Sequence, residues 1–412
     1  MNNGGLIYNE NNVIITPLFF YFGNIMFHLF GANFFTRRLY SAFLFMTKYI
    51  LIFILFKKLG CRNIFSIIYI IFGMVLDLTN TSANYNQLGL IFCLVGAIWY
   101  ITNKDNKFYN IVQGIIIFLV FFSKQTIGIY YAFGIVLFEL IEIGFHKKFW
   151  INQISKFISF FICISISLLI MYFQGNIMQF INLCFGSLFE FGSTNLSFDP
   201  RTLPYIFAII FITIFCIYVI KKPNVSNTIK TNIKFLLCLS TGLVFCCLPI
   251  INIYHTIMAF FFFYLTILYT FDALIIREIF DNNKTSYMFL LISLFIILTI
   301  VVKILLIYFT YFPNLKHFDK SHPFYGVVIS EENLNKIEDM TNYIIKKKQS
   351  GTKVIVASYE AAGYMVPLKI NNVNFDLLFC GNLGYNGINN TINQISNMKN
   401  TEFLIFTNEE DC

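Results

Sequence analysis

Residues 109–144 read YNIVQGIIIFLVFFSKQTIGIYYAFGIVLFELIEIG. Two apolar runs, 109–123 and 127–144, flank the polar turn Ser123-Lys124-Gln125-Thr126. A membrane-spanning helix needs about 20 mostly apolar residues, so 127–144 nearly suffices and 109–123, being short, spans only with little tilt. The same alternation of apolar run and polar turn extends in both directions. It predicts further spans near 39–57, 63–79, 86–102, 155–174, 203–220, 233–250, 254–275 and 287–311, about ten in all. The stretch 14–30 carries Pro17, Gly23, Asn24 and His28, and reads as a helix lying in the interface rather than crossing it.

Composition agrees. Of 412 residues, 57% are hydrophobic and 12% charged, with a mean hydropathy of +0.69. Soluble domains carry roughly 25% charged residues, so a water-soluble globule of this size is excluded. Aromatic residues make up 19%, which excludes a disordered chain. The apolar runs are continuous rather than heptad-spaced, which excludes a coiled coil. The ten cysteines are scattered, mostly within apolar spans, and behave as small apolar residues. They indicate no metal site and no disulfide framework, no cofactor is implied, and a need for a divalent metal is not legible.

The net charge of +8 acquires meaning only when mapped onto loops. One alternating set holds Lys57, Lys58 and Arg62; Lys104 and Lys107; Lys147, Lys148 and Lys156; Lys221, Lys222, Lys230 and Lys234; and Arg277 and Lys284. In the other set, 80–87 and 251–256 hold no cation and 175–202 holds only Arg201. The positive-inside rule places the first set in the cytoplasm and both chain ends outside. Lys48 falls deep within a span and is expected to face the bundle interior.

Residues 315–412 change character. Short apolar runs at Val327–Ser330, Lys353–Ser358, Phe375–Phe379 and Phe403–Thr407 read as strands. Leu334, Ile337, Met340 or Thr341, and Ile344 mark a helix, with Glu331 and Glu332 in its first turn and Lys346 to Lys348 in its last, as the helix dipole favours. The segment is expected to form a small α/β domain outside the membrane. The chain thus divides into an outer loop with an interfacial helix (1–38), a transmembrane bundle (39–311) and an extracytoplasmic α/β domain (315–412). Met1 lies in a polar outer segment with no span before it, and the sequence ends just after an expected strand. It therefore reads as a fragment, or as a chain whose start is placed too late.

Polar groups at the outer ends of spans carry the chemistry, because charge near a bilayer faces a cavity or a partner. Glu10, in the first outer segment with Tyr8, has the place of a general base. It reads also as a solvated loop acid. Arg37 and Arg38 precede the span 39–57 and suit phosphate, or a lipid headgroup to which they snorkel. Asp77, followed by Tyr85 and Asn86, either orients a sugar or accepts a proton, or is a helix-end acid in water. Lys124 and Gln125, with Tyr130 close by, suit one phosphate charge, and Lys124 suits lipid phosphate equally. Tyr254 and His255 open the span 254–275, where His255 bonds a phosphate or hydroxyl, or is a structural histidine. Arg201 is a weaker candidate. Gly381 to Gly387 has glycines but neither phosphate-loop spacing, and reads as a turn.

Taken together, these places resemble the GT-C superfamily of membrane glycosyltransferases, in particular bacterial relatives of protein O-mannosyltransferases and of lipid A aminoarabinose transferases. The resemblance rests on GGLIYNENNVIITPLFFYFGNIMFHLFG (residues 4–31), similar to the family's first outer loop and interfacial helix, and on RRLYSAF (37–43), SKQTIGIYY (123–131) and YHTIMAFFFFYL (254–265). It implies a polyprenyl-phosphate sugar donor bound in an outward-opening cavity of a cell membrane. The acceptor would be a glycan, lipid or protein on that side, with no nucleic acid involved. Arg37, Arg38, Lys124, Gln125 and His255 would hold the donor phosphate. Glu10 and Asp77 would be the catalytic acids, and Tyr8, Tyr85, Asn86, Tyr130, Tyr254 and Arg201 would line the cavity. In the family the base sits just after a first spanning helix, which this sequence does not include; Glu10 matches a later acidic position of that loop. A transporter or flippase of lipid-linked sugars shares the apolar bulk and outer cations, though internal repeats expected of many transporters are not visible. A scaffold that binds partners through its tail is a third reading.

Overall fold

The structure is a computed structural model that describes residues 8, 15–77, 84–186, 197–248, 250–273, 315–318, 324–325, 327–357, 393, 396–397 and 401–405. The helices are α1 (Leu18–Phe30), α2 (Phe34–Lys58), α3 (Asn63–Asp77), α4 (Tyr85–Asn103), α5 (Tyr109–Ser123), α6 (Gln125–Ile143), α7 (Lys147–Phe173) and α8 (Ile177–Ile181), which runs into a π-helical turn at Asn182–Gly186. They continue with α9 (Leu203–Lys221), α10 (Asn227–Val244), α11 (Ile253–Phe271) and α12 (Glu331–Gln349). Among the described residues, six helices are long and apolar enough to cross a membrane: α2, α4, α6, α7, α9 with the turn before it, and α10 with the turn after it. The protein is a helical membrane protein. The expected span 287–311, the strand 375–379, and Glu10 lie outside the described residues.

The chain divides into two compact units. One comprises Met1–Tyr40, Leu168–Leu196 and Ile307–Cys412, the other Ser41–Ser167 and Ser197–Leu306. In the second, α4 packs on α5, α5 on α6, α6 on α10, and α10 on α11. Lipid is as apolar as leucine, so burial of apolar surface does not drive these contacts and close approach must. Glycines supply it. A Cβ on Gly242 of α10 would overlap the Tyr130 carbonyl and the Gly134 backbone of α6, and one on Gly114 of α5 would overlap Ser159 and the Lys156 carbonyl of α7.

Several polar side chains inside this unit are matched to partners. Tyr49 donates to the Gly73 carbonyl at 2.7 Å, and Gln113 to the Tyr131 hydroxyl at 2.7 Å. Lys48 is 3% exposed, as its depth in the span implied, and its ammonium lies 5.0 Å from the Tyr49 ring centre and 5.7 Å from those of Phe45 and Phe261. Lys156 departs from expectation. It was read with the loop cations, but α7 begins at Lys147 and carries it into the bundle, where its ammonium donates to both oxygens of Glu139 at 2.6 Å. Gln153 donates to the same carboxylate at 2.6 Å. The pair is almost wholly buried, so the helix can carry the charge inward because Glu139 neutralises it. A half-exposed pair, Lys234 to Glu142 at 2.7 Å, joins α10 to α6 nearby.

Helix ends follow local chemistry. The expected span 233–250 ends early, at Val244, passing through a tight turn at Phe245–Cys247. Leu248 is extended (φ −77°, ψ 144°), as the residue before Pro249 must be. Two short strands of this unit, β1 (Ser197–Phe198) and β2 (Ile250–Ile251), pair in parallel. In the other unit, β3 (Leu315–His317) pairs antiparallel with β4 (Val328–Ser330), and β5 (Lys353–Ala357) pairs parallel with β6 (Thr401–Ile405). The α12 stripe lies as its spacing predicts: Ile344 is buried with Phe318, Phe324 and Val354, and Leu334, Ile337 and Met340 pack around them.

The Lys156–Glu139 pair gives a direct test. Lys156→Met strands a buried carboxylate and is expected to destabilise the bundle by about 3–5 kcal/mol, while Lys156→Met with Glu139→Met is expected to recover most of that loss. Unfolding in mixed micelles reads both variants, and equal destabilisation by single and double variants would contradict the pairing.

Candidate functional site

Lys124 stands alone between two helices: α5 ends at Ser123 and α6 begins at Gln125. So tight a corner needs Gly128, where a Cβ would collide with the Phe121 backbone. Lys124 itself is extended (φ −156°, ψ 121°), and its N–H closes α5 by bonding the Val120 carbonyl. Its ammonium lies 5.2 Å from the centre of the Tyr85 ring, at the start of α4. Cys246, just past α10, brings its thiol to 3.9 Å from the Thr126 carbonyl, and Phe245 packs against Tyr130 with ring centres 5.8 Å apart. His255, in the first turn of α11, lies close enough to Lys124 to interact with its charge. The first turns of α4, α6 and α11 and the ends of α5 and α10 therefore meet around one lysine.

Three helix N-termini around a cation make a strongly positive place. Each presents N–H groups that lack partners within the helix, together with the positive end of a helix dipole. Asn84 caps α4, its side chain accepting from the Gln87 N–H at 2.9 Å. Asn252 caps α11 in the same way, accepting from the His255 N–H at 3.0 Å. The same amide oxygen lies 2.9 Å from His255 Nδ1. An amide oxygen only accepts, so Nδ1 carries the proton and Nε2 keeps its lone pair for another partner. Burial pulls the Lys124 ammonium down to about 8 from its ordinary value, so it is a cation at neutral pH and loses its charge in mild alkali.

The arrangement also holds unused acceptors. Among the described residues, Asn86 Oδ1, Thr126 Oγ1 and Thr256 Oγ1 are buried oxygens with no hydrogen bond. They sit in the first turns of α4, α6 and α11 respectively. Such groups are costly when unmatched, and each of these three stands in a first helical turn of the elements that converge on Lys124.

The remaining candidates distribute as follows. Gln125 is buried at the head of α6. Asp77 is the last residue of α3, and Tyr254 lies in the first turn of α11. Arg201 is exposed and turned to its neighbour: it bonds the Asp199 carboxylate at 2.9 Å, and Asp199 caps the turn Pro200–Thr202. Those hydrogen bonds hold the Asp199 carboxyl below its ordinary range. Tyr8, Arg37 and Arg38 belong to the other unit. Both arginines are exposed, on the first turn of α2. Tyr8 is 2% exposed, donates its hydroxyl to the Ile15 carbonyl at 2.8 Å, and sets its ring edge-on to Phe180 at 5.3 Å. Its φ of 75° is unusual for a bulky residue and is held by those contacts. Among the described residues no group of three or more His, Cys, Asp or Glu side chains is placed to hold a metal.

Thr126 lies in the polar turn that the sequence marked, whereas Thr256, Asn252 and Cys246 were not singled out. Asn252 had a signal, an asparagine directly before an apolar helix; the others are ordinary span residues whose convergence depends on helix packing. Compared with protein-family models, curated proteins and solved structures, the chain matches none.

Lys124 should announce itself chemically. The pH profile of its acylation by an N-hydroxysuccinimide ester, read by peptide mass spectrometry, is expected to inflect near about 8. A profile with no inflection in mild alkali would contradict its placement.

Proposed function

We propose that this protein is a GT-C-like glycosyltransferase of the cell membrane. It transfers a sugar from a polyprenyl-phosphate donor to an acceptor hydroxyl on the non-cytoplasmic face. The observation that carries the reading is the convergence of Lys124, His255 and three helix N-termini at one end of the bundle. That end is the cation-poor one by loop charge, hence the outer end. Bilayer-embedded helices around an anion-attracting mouth suit a ligand with an apolar tail and a phosphate at the membrane surface. The full bundle in this reading has about ten spans; six of the described helices are long and apolar enough to cross a membrane. Residues 315–412 form the extracytoplasmic α/β domain, a reading supported by the parallel β5–β6 pair and the helix α12.

The reaction follows from the charges. The acceptor oxygen attacks the anomeric carbon as the carbon–oxygen bond to phosphate breaks. That electron pair leaves with polyprenyl phosphate, whose charge grows from one to two. Lys124 and the helix N-termini stabilise the added charge, with Gln125 donating beside them. The acceptor proton passes to a carboxylate, for which the GT-C resemblance offers Glu10 or Asp77. Tyr85, Asn86, Tyr130 and Tyr254 line the sugar's approach. Inversion at the sugar carbon follows from the GT-C resemblance.

Full-length protein in nanodiscs, given labelled polyprenyl-phosphate sugar and membrane extract as acceptor source, is expected to release polyprenyl phosphate. Lys124→Gln and Glu10→Gln are each expected to reduce release at least tenfold with folding intact. Donor affinity is expected to fall as pH rises past about 8, where Lys124 loses its charge. Movement of intact donor across the bilayer without release would contradict the transferase and favour a flippase.

A further inference from the structure

Two lysines of the bundle have their charge answered differently. Lys156 faces the Glu139 carboxylate, which neutralises it, whereas Lys124 faces the ring of Tyr85. We propose that Tyr85 is the positioning residue of the Lys124 site: its ring fixes the ammonium in place without cancelling the charge, which stays available to the phosphate of the donor. The inference rests on the glycosyltransferase reading and deepens it.

The geometry is built from the start of α4. Asn84 caps that helix, its side chain accepting from the Gln87 N–H at 2.9 Å, so Tyr85 opens an ordered first turn. Gly89 follows Tyr85 by four residues and lies on the same face of the helix. A Cβ there would come within 3.0 Å of Ile127, so α4 lies close against the first turn of α6. Ile127 follows Lys124 by three residues. One turn back along both helices the Tyr85 ring meets the Lys124 ammonium, 5.2 Å from the ring centre. A ring face attracts an ammonium through its quadrupole, and more strongly where water is excluded. The ring carries no net charge, so the pair keeps the whole positive charge. A carboxylate in its place would attract more strongly but leave a neutral pair, as Glu139 does with Lys156. Among the described residues the titratable groups that interact with this ammonium besides Tyr85 are the Cys246 thiol and the His255 imidazole, and neither is a carboxylate. An incoming phosphate therefore meets a cation that is already in place and not yet cancelled, which is what electrostatic preorganisation requires.

Two readouts on the full-length protein in nanodiscs test this role. One is the pH at which acylation of Lys124 inflects, near about 8 in the native protein. The other is affinity for polyprenyl phosphate, which carries no sugar. Tyr85→Phe keeps the ring and is expected to hold the inflection and to bind within about twofold of the native protein. Tyr85→Leu keeps apolar bulk but not the quadrupole. It is expected to lower the inflection by about one pH unit and to weaken binding about tenfold. Tyr85→Glu sets a carboxylate at a helix start, where it is well accommodated, and is expected to raise the inflection while weakening binding by at least about tenfold. More charge on the lysine with less binding is a combination that loss of structure does not produce. A Leu variant that leaves either readout as in the native protein, a Phe variant as weak as the Leu variant, or a Glu variant that binds as well as the native protein would overturn the inference while leaving the transferase reading intact. If the native protein binds no polyprenyl phosphate, that reading falls, and the role of Tyr85 in it falls too.

Discussion

Hydrocarbon neither solvates charge nor supplies hydrogen bonds, and the described bundle is arranged around that fact. Lys156 enters α7 only in the company of Glu139, and Lys48 is enclosed by Phe45, Tyr49 and Phe261. Hydroxyls of Tyr49, Tyr131 and Tyr264 each sit within reach of a partner on a neighbouring helix. The contacts between helices come from glycines that let backbones meet, since the hydrophobic effect does not favour helix against helix in lipid.

At the Lys124 end, one residue separates α5 from α6, and Gly128 lets the corner close. The corner sets an ammonium among the starts of three helices, whose first turns hold buried oxygens that make no hydrogen bond among the described residues. The cations of the other loop set lie in exposed turns or, like Lys234, are paired.

Most of the fold was legible because apolar runs in a membrane protein are long and their ends are marked by polar residues. The helices α2 to α7 and α9 to α11 fall on expected spans, α1 falls within the expected helix 14–30, and the stripe of α12 lies where its spacing put it. The departures have local causes. Pro249 stops α10 before the apolar run ends, and Glu139 lets α7 begin two turns early. Of the site, Lys124, Tyr85 and His255 were legible as polar residues at span ends. That they meet was not, because it depends on how the helices pack, such as the approach of α6 to α10 through Gly134 and Gly242, which pattern alone does not specify. The pairing of Arg201 with Asp199, two residues away, is equally local and was overlooked in favour of a ligand.

The most direct measurement is photo-crosslinking with a polyprenyl phosphate that bears a diazirine on the first isoprene unit, added to the outer leaflet of right-side-out vesicles. Peptide mapping is expected to place the label on residues 84–87, 123–128 and 252–256. Label confined to the turns at 104–108 or 222–226, or spread evenly along the lipid-facing side chains of α7 and α9, would contradict the account.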